Sequence, residues 1–331
     1  MQRRSLIAAG AAVLAAALPL AALAQTAATA LTTWPSQPVK IIVPTGAGSS
    51  LDLIVRLLSH PLAARWGQPV VVDNKPGAGG MLGLDIAAKA TDGHTIAIGF
   101  NGPLAYAPFL YAKTPYDPVR DLKAIVMTTS QANVLAINTE RVPAKTLAEY
   151  VTLAKDKPGT VTQASSGIGG AGHLAGELLK IRAGIDAIHV AYKGGGPGML
   201  AVMGGEVNAY YATPVSAGAQ IKNGKVRALA TTGLKRDRLL PDVPTVAESG
   251  YPGYEATNWY AYVVPAKTPA AVVTRLNQSL VKTLNLPEVV AALHKQGLDP
   301  SPSTPAELAA FMQREYDTWG KVVKQAGIKA E

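Results

Sequence analysis

From residue 38 onward, short β-branched runs alternate with longer helix-like segments, and each of the first runs empties into a glycine-bearing loop before the next helix. These runs are Val39-Lys40-Ile41-Ile42-Val43, Val70-Val71-Val72 and Thr95-Ile96-Ala97-Ile98. A helix between two strands carries the chain back across the sheet, so the pattern selects an α/β fold with mainly parallel strands. Helices are expected over residues 51–65, broken or kinked near Pro61, and over residues 81–90. The pattern restarts near residue 132 with strand Asn133-Val134-Leu135-Ala136-Ile137, a helix around 147–154, a strand near 160–164, a helix over 173–182, and strands over 187–191 and 226–230. A restart implies a second lobe. Tyr260-Ala261-Tyr262-Val263-Val264 reads as a return strand, followed by helices over 270–284 and 305–324. The expected organisation is a discontinuous first lobe, residues 34–131 with 255–331, and a second lobe over residues 132–254.

Residues 1–24 have a different character. Arg3 and Arg4 precede an apolar, alanine-rich stretch over residues 6–23, and Ala22-Leu23-Ala24 supplies a small-residue cleavage pattern before Gln25. That is the layout of a secretory signal peptide cleaved near Ala24. Without the two signal arginines, 29 Lys and Arg stand against 22 Asp and Glu, a formal charge of +7 that favours anionic partners. The basic residues are scattered, clustering only at Lys235-Arg236-Asp237-Arg238, and no stacking platform or nucleic-acid module accompanies them, so nucleic acid is not an expected partner. The absence of cysteine removes disulfides, thiolate nucleophiles and sulfur-ligated metals, leaving a large apolar core to hold an exported chain. His60, His94, His173, His189 and His294 show no metal-ligand spacing, and no cofactor is expected.

The loops carry most of the functional information. Pro44-Thr45-Gly46-Ala47-Gly48-Ser49-Ser50-Leu51-Asp52 leads into a helix that Ser49 or Ser50 can cap, and Ala164-Ser165-Ser166-Gly167-Ile168-Gly169-Gly170-Ala171-Gly172-His173 is its counterpart in the second lobe. Uncovered backbone N–H groups at such helix starts attract anions, and two facing each other could hold a dicarboxylate. Asn101 and Gly102 follow a strand where open α/β sheets place ligands. Gly167, Gly169 and Gly172 also match a dinucleotide-binding spacing, but the next strand, Ile188-His189-Val190-Ala191-Tyr192, lacks the acid that would hold a ribose. Asp52 and Arg56, one turn apart, read as an ion pair. Gln163-Ala164-Ser165-Ser166-Gly167 approaches a nucleophile elbow, with Gln163 where glycine is needed and no triad partner assignable by spacing. A non-enzymatic role is expected, with an exported serine hydrolase using Ser165 or Ser166 as the alternative.

Further motifs stand in combination: Val72-Asp73-Asn74-Lys75-Pro76-Gly77-Ala78-Gly79-Gly80; Pro115-Tyr116-Asp117-Pro118 with Asp121-Leu122; His173-Leu174-Ala175-Gly176-Glu177; His189-Val190 with Tyr192-Lys193-Gly194-Gly195; and Leu240-Pro241-Asp242-Val243-Pro244-Thr245 with Glu248 and Trp259. Through them the chain, from Trp34 to about Trp319, resembles the substrate-binding proteins of tripartite tricarboxylate transporters, the Bug or TctC-like family. The resemblance implies a type II periplasmic-binding-protein architecture, two α/β lobes with a ligand cleft between them. It implies a monomeric periplasmic receptor that takes a small carboxylate, a di- or tricarboxylate or an aromatic acid, and delivers it to the permease subunits of such a transporter. A sensor for a membrane signalling partner is the variant of this role. The implied ligand contacts are Thr45, Gly48, Ser49, Ser50, Asn101 and Gly102 from one lobe and Ser165, Ser166, Gly169, Gly170, Tyr192, Tyr211 and Thr213 from the other. Family members often carry an aromatic residue at the position of Thr45, prolines near Gly46 and glycine at Ser49, which implies a more polar or roomier wall here. Tyr211-Ala212-Thr213 replaces a common aromatic-Asp-Asn pattern, and loss of that acid argues against an amine-bearing ligand.

Overall fold

The computed structural model describes residues 34–192 and 195–329, so the signal segment and Lys193-Gly194 lie outside the described residues. The first lobe begins with β1 (Val39–Val43), α1 (Ser50–Trp66), β2 (Val70–Asn74), α2 (Met81–Ala88), β3 (Thr95–Phe100), a π turn, the short α3 (Ala107–Leu110) and β4 (Leu122–Ala132). In the second lobe lie β5 (Val134–Asn138), α4 (Leu147–Asp156), β6 (Val161–Ser165), α5 (Ala171–Ala183), β7 (Ala187–Ala191), α6 (Gly195–Met203), β8 (Ala209–Ala212), α7 (Pro214–Lys222) and β9 (Val226–Thr231). The chain returns through β10 (Thr257–Pro265), α8 (Ala270–Leu284), α9 (Pro287–Lys295), β11 (Asp299–Pro300) and α10 (Pro305–Ala326). Two sheets result, in the orders β11-β4-β10-β3-β1-β2 and β7-β6-β8-β5-β9.

Both sheets are mixed, not mainly parallel. β1 runs parallel to β2 and β3, and β6 runs parallel to β7 and β8. Around the crossing strands the pairing is antiparallel, β10 with β3 and β4 and β5 with β8 and β9. A strand that enters from the other lobe has no helix to turn it round, so it meets its neighbours head to tail.

Local chemistry explains where the elements begin and end. Apart from exposed Lys40, β1 is apolar because both faces are covered: Val39, Ile41 and Val43 join one core cluster and Ile42 another. The Ser49 hydroxyl caps α1, Gly67 ends it in the left-handed conformation, and Leu51, Ile54, Val55, Leu58, Leu62 and Trp66 form its buried face. Pro61 leaves this helix unbroken, so the expected break is absent. A Thr304–Glu307 capping box starts α10, which packs on β4 and also on α5 of the opposite lobe, so one apolar cluster spans both lobes. Tyr254 donates its hydroxyl to the Ala175 carbonyl at 2.7 Å, tying the returning segment to α5.

The lobes are joined where Asn133 meets Thr232. The Asn133 N–H donates to Thr232 Oγ1 at 2.8 Å and the Thr232 N–H to the Asn133 carbonyl at 2.9 Å. Thr232 Oγ1 in turn donates to the Ala256 carbonyl at 2.6 Å. One buried hydroxyl thus satisfies backbone groups on two crossing segments. Thr232→Val, which keeps the shape, leaves both unpaired and should cost about 2–3 kcal/mol in urea denaturation. An unchanged midpoint would strip the hydroxyl of any structural role at the junction.

Candidate ligand cleft

A cleft of about 290 Å³ lies between the lobes. Its first wall holds Thr45, Ser49, Ser50 and Leu51 at the start of α1, Phe100, Asn101 and Gly102 at the end of β3, and Asn258 and Tyr260 on β10. The second wall holds Ser166, Gly169, Gly170 and Ala171 at the start of α5. None of these is Asp, Glu, Lys, Arg or His. A larger surface hollow of about 570 Å³ lies beside Arg236, Asp237, Arg238 and Asp299. Its two arginines are already paired, Arg236 with Glu248 and Arg238 with Asp299, and no helix start enters it.

Asp52 organises the first wall. Its carboxylate takes the Gly48 N–H at 2.9 Å, Asn74 Nδ2 at 3.0 Å and Arg56 Nε at 3.0 and 2.9 Å. Asn74 also donates to the Thr45 carbonyl at 3.1 Å, so loop 45–48 is held at both ends. The Arg56 guanidinium, joined by these N–H donors, outweighs burial and holds the Asp52 carboxyl down to about 2. The Ser49 hydroxyl accepts the Asp52 N–H and pairs with Thr45 Oγ1 at 2.6 Å. This helix start therefore has one of its first-turn N–H groups, that of Asp52, capped by its own chain.

The second wall differs. α5 begins at Gly170 with no side-chain cap, so its first-turn N–H groups are left for a ligand. Behind it, the Gly169 N–H donates to His173 Nδ1 at 3.0 Å, the His173 ring stacks on His189 with centroids 3.6 Å apart, and His189 Nε2 lies 2.7 Å from Ser165 Oγ. Burial pushes His173 down to about 3 and His189 to about 4, so both rings are neutral. Glu177 stands 3.7 Å from His173 and would favour a cation there, but Lys180 already neutralises it at 3.1 Å. Gly169, at φ 71°, passes so near the other lobe that a Cβ would stand 2.6 Å from Leu110 Cδ1.

Of the residues singled out from sequence, Thr45, Ser49, Ser50, Asn101, Gly102, Ser166, Gly169 and Gly170 are brought to one cleft. Gly48 spends its N–H on Asp52, and Ser165, 1% exposed, turns its hydroxyl to His189 and Gly167. Tyr211 points into the core, 3% exposed, and Thr213 caps α7. Tyr192 packs on the second-lobe core with its hydroxyl bonded to Glu206. These five do not line the cleft. Leu51 and Ala171 extend the two loops by one residue. Asn258 and Tyr260 had no local signal: they arrive because β10 lies antiparallel to β3, setting Tyr260 opposite Phe100. The expected ion pair of Asp52 with Arg56 is present.

Two mixed α/β lobes, two crossing segments and a cleft at facing helix starts define a two-lobed solute-binding protein with the type II periplasmic-binding-protein fold. Residues 54–328 match the model of the tripartite tricarboxylate transporter family receptor, and the chain belongs to that family. BugT of Bordetella pertussis is 35% identical over 299 residues, 90% of this chain and 91% of that protein. An R. palustris protein solved with adipate is 31% identical, with TM-score 0.75 over 89% of this chain and 99% of the other. MatC of Rhodopseudomonas palustris, solved with bound malate, is 30% identical, with TM-score 0.72 over 88% and 100%.

Proposed function

We propose that the chain is an exported, non-catalytic receptor that captures a small carboxylate between its lobes and delivers it to the permease of a tripartite tricarboxylate-type transporter. The observation that carries this is the uncapped start of α5, facing a cleft wall rich in hydroxyls with no acidic side chain in the lining. Backbone N–H groups at a helix start favour an anion without a neighbouring cation. The bound adipate and malate of the two similar structures support the ligand class. Residues 1–24 would direct export to the periplasm and then be lost. Contact is proposed for the eight residues that reach the cleft, together with Tyr260 and Asn258.

Thermal unfolding in millimolar succinate, adipate, malate, citrate and benzoate tests the ligand class. At about one hundred times Kd a ligand adds about 2.7 kcal/mol, which raises Tm by roughly 5 °C in a chain of this size. A panel that leaves Tm unmoved removes the carboxylate reading.

One contact favours a hydrolase, the 2.7 Å approach of Ser165 Oγ to His189 Nε2. Against it, the same hydroxyl lies 3.0 Å from the Gly167 carbonyl and takes the Gly167 N–H at 3.2 Å, which closes a turn and leaves it away from the cleft. A fluorophosphonate probe should not label the protein; labelling lost in Ser165→Ala would restore the enzyme reading.

A further inference from the structure

Most polar side chains of the first wall are engaged within the protein. Thr45 and Ser49 bond each other, and Ser50 bonds the Tyr260 hydroxyl. Asn101 is engaged on one side only. Its Nδ2 donates both hydrogens, to the Tyr106 hydroxyl at 2.8 Å and to the Thr257 carbonyl at 3.2 Å. A backbone carbonyl can only accept, so the amide cannot flip: turning it over would press Oδ1 against that oxygen. Among the described residues nothing donates to Asn101 Oδ1, and Asn101 lines the cleft. What this side chain can offer a ligand is a hydrogen-bond acceptor.

Asn258 does not impose the same choice. Its Nδ2 meets Asn133 Oδ1 at 3.1 Å, Asn133 Nδ2 has no partner among the described residues, and neither amide is fixed by a carbonyl, so the pair can turn over together. The locked acceptor of the wall is Asn101.

We propose that Asn101 is a specificity-determining residue that selects a hydroxy acid, by accepting a hydrogen bond from a hydroxyl on the ligand. This rests on the carboxylate reading above and narrows it. An acid without a donor would bring only lone pairs to Oδ1, or leave that atom without a partner when the lobes close, which costs affinity. A hydroxyl fits better than an ammonium group, because no acidic side chain lines the cleft to offset a desolvated cation. A carboxylate at the α5 start and a hydroxyl at Asn101 place opposite demands on the two walls, the one needing donors and the other an acceptor.

The test uses matched acids that differ by one hydroxyl, measured by titration calorimetry on the full mature protein: malate against succinate, citrate against tricarballylate, mandelate against phenylacetate. In whichever pair binds, the hydroxylated acid, taken as its better enantiomer where it has two, should bind about tenfold more tightly, the scale of one hydrogen bond. Aspartate should not surpass malate. In Asn101→Ala the ratio within the pair should fall towards one; if that variant does not fold, Asn101→Thr takes its place, and the wild-type ratio decides independently of either. Equal affinities within every binding pair, a ratio unchanged by the substitution, or aspartate binding more tightly than malate would overturn the inference while leaving the carboxylate receptor standing. Binding of none of the six acids would overturn the inference, and the carboxylate reading falls with it if adipate and benzoate also leave Tm unmoved.

Discussion

Lowering the pH from about 6.5 towards about 4 should destabilise the wild-type protein by several kcal/mol more than a His173→Gln/His189→Gln variant. In the unfolded chain both imidazoles take up protons near pH 6.5, their ordinary range. In the folded protein burial holds them neutral, His173 down to about 3 and His189 to about 4. Throughout the interval the unfolded state binds more protons, so stability falls with pH by about 1.4 kcal/mol per unit for each histidine. Once pH passes the folded values the two states carry the same protons and the loss stops growing. The geometry makes the neutral form hard to surrender. Protonating His173 Nδ1 would evict the Gly169 N–H it accepts, and two cations would face each other across stacked rings 3.6 Å apart. Urea midpoints at pH 7, 6, 5 and 4.5 decide the matter. Parallel slopes for wild type and variant would mean that these rings titrate normally in the folded state.

The second large effect is expected at Asp52. Asp52→Leu should cost about 2–3 kcal/mol, because it removes the charged acceptor that gathers the Gly48 N–H and one donor of Asn74 beside a helix start. It should also weaken acid binding at least tenfold, since loop 45–48 loses the group that shapes the first wall. Arg56→Ala should cost under about 1 kcal/mol: its side chain is 55% exposed, and water screens its pairing. If Arg56→Ala proves as damaging as Asp52→Leu, the guanidinium and not the N–H donors holds the loop. The carboxylate's pH dependence is separate from that of the histidines. Its folded value, about 2, lies below the unfolded one, so its stabilisation is present above about pH 4 and is lost as pH falls through about 2.

Several elements could be read from the chain because their signals are local. The apolar run of β1, the periodic face of α8 and the Thr304-Pro305-Ala306-Glu307 start of α10 are written in neighbouring residues. β4 is not among the strands expected from sequence, although Ile125, Val126, Thr128 and Thr129 are β-branched; its length is set by β10 and β11, which pair along its two edges. α6 begins Gly195-Gly196-Pro197-Gly198, the composition of a loop, and becomes a helix because Met199 and Val202 bury against the second-lobe core. In α6 tertiary packing overrode propensity.

The cleft divides in the same way. Glycine runs ending in a cappable residue mark helix starts, and those starts form its two walls, because capping and close backbone approach are properties of a few consecutive residues. The direction of a side chain is not such a property. Ser165, Tyr211 and Thr213 stand beside cleft residues in sequence but turn to His189, to the core and to a helix cap. Asn258 and Tyr260 reach the site from more than 150 positions beyond Asn101, delivered by an antiparallel strand whose register no local pattern encodes. By itself the sequence determined the fold class, the family and the loops that form the cleft walls. Only the tertiary structure decided that α1 has a side-chain cap while α5 has none, and that Asn101 spends both amide hydrogens inside the protein, because each depends on hydrogen-bond partners that the fold brings together.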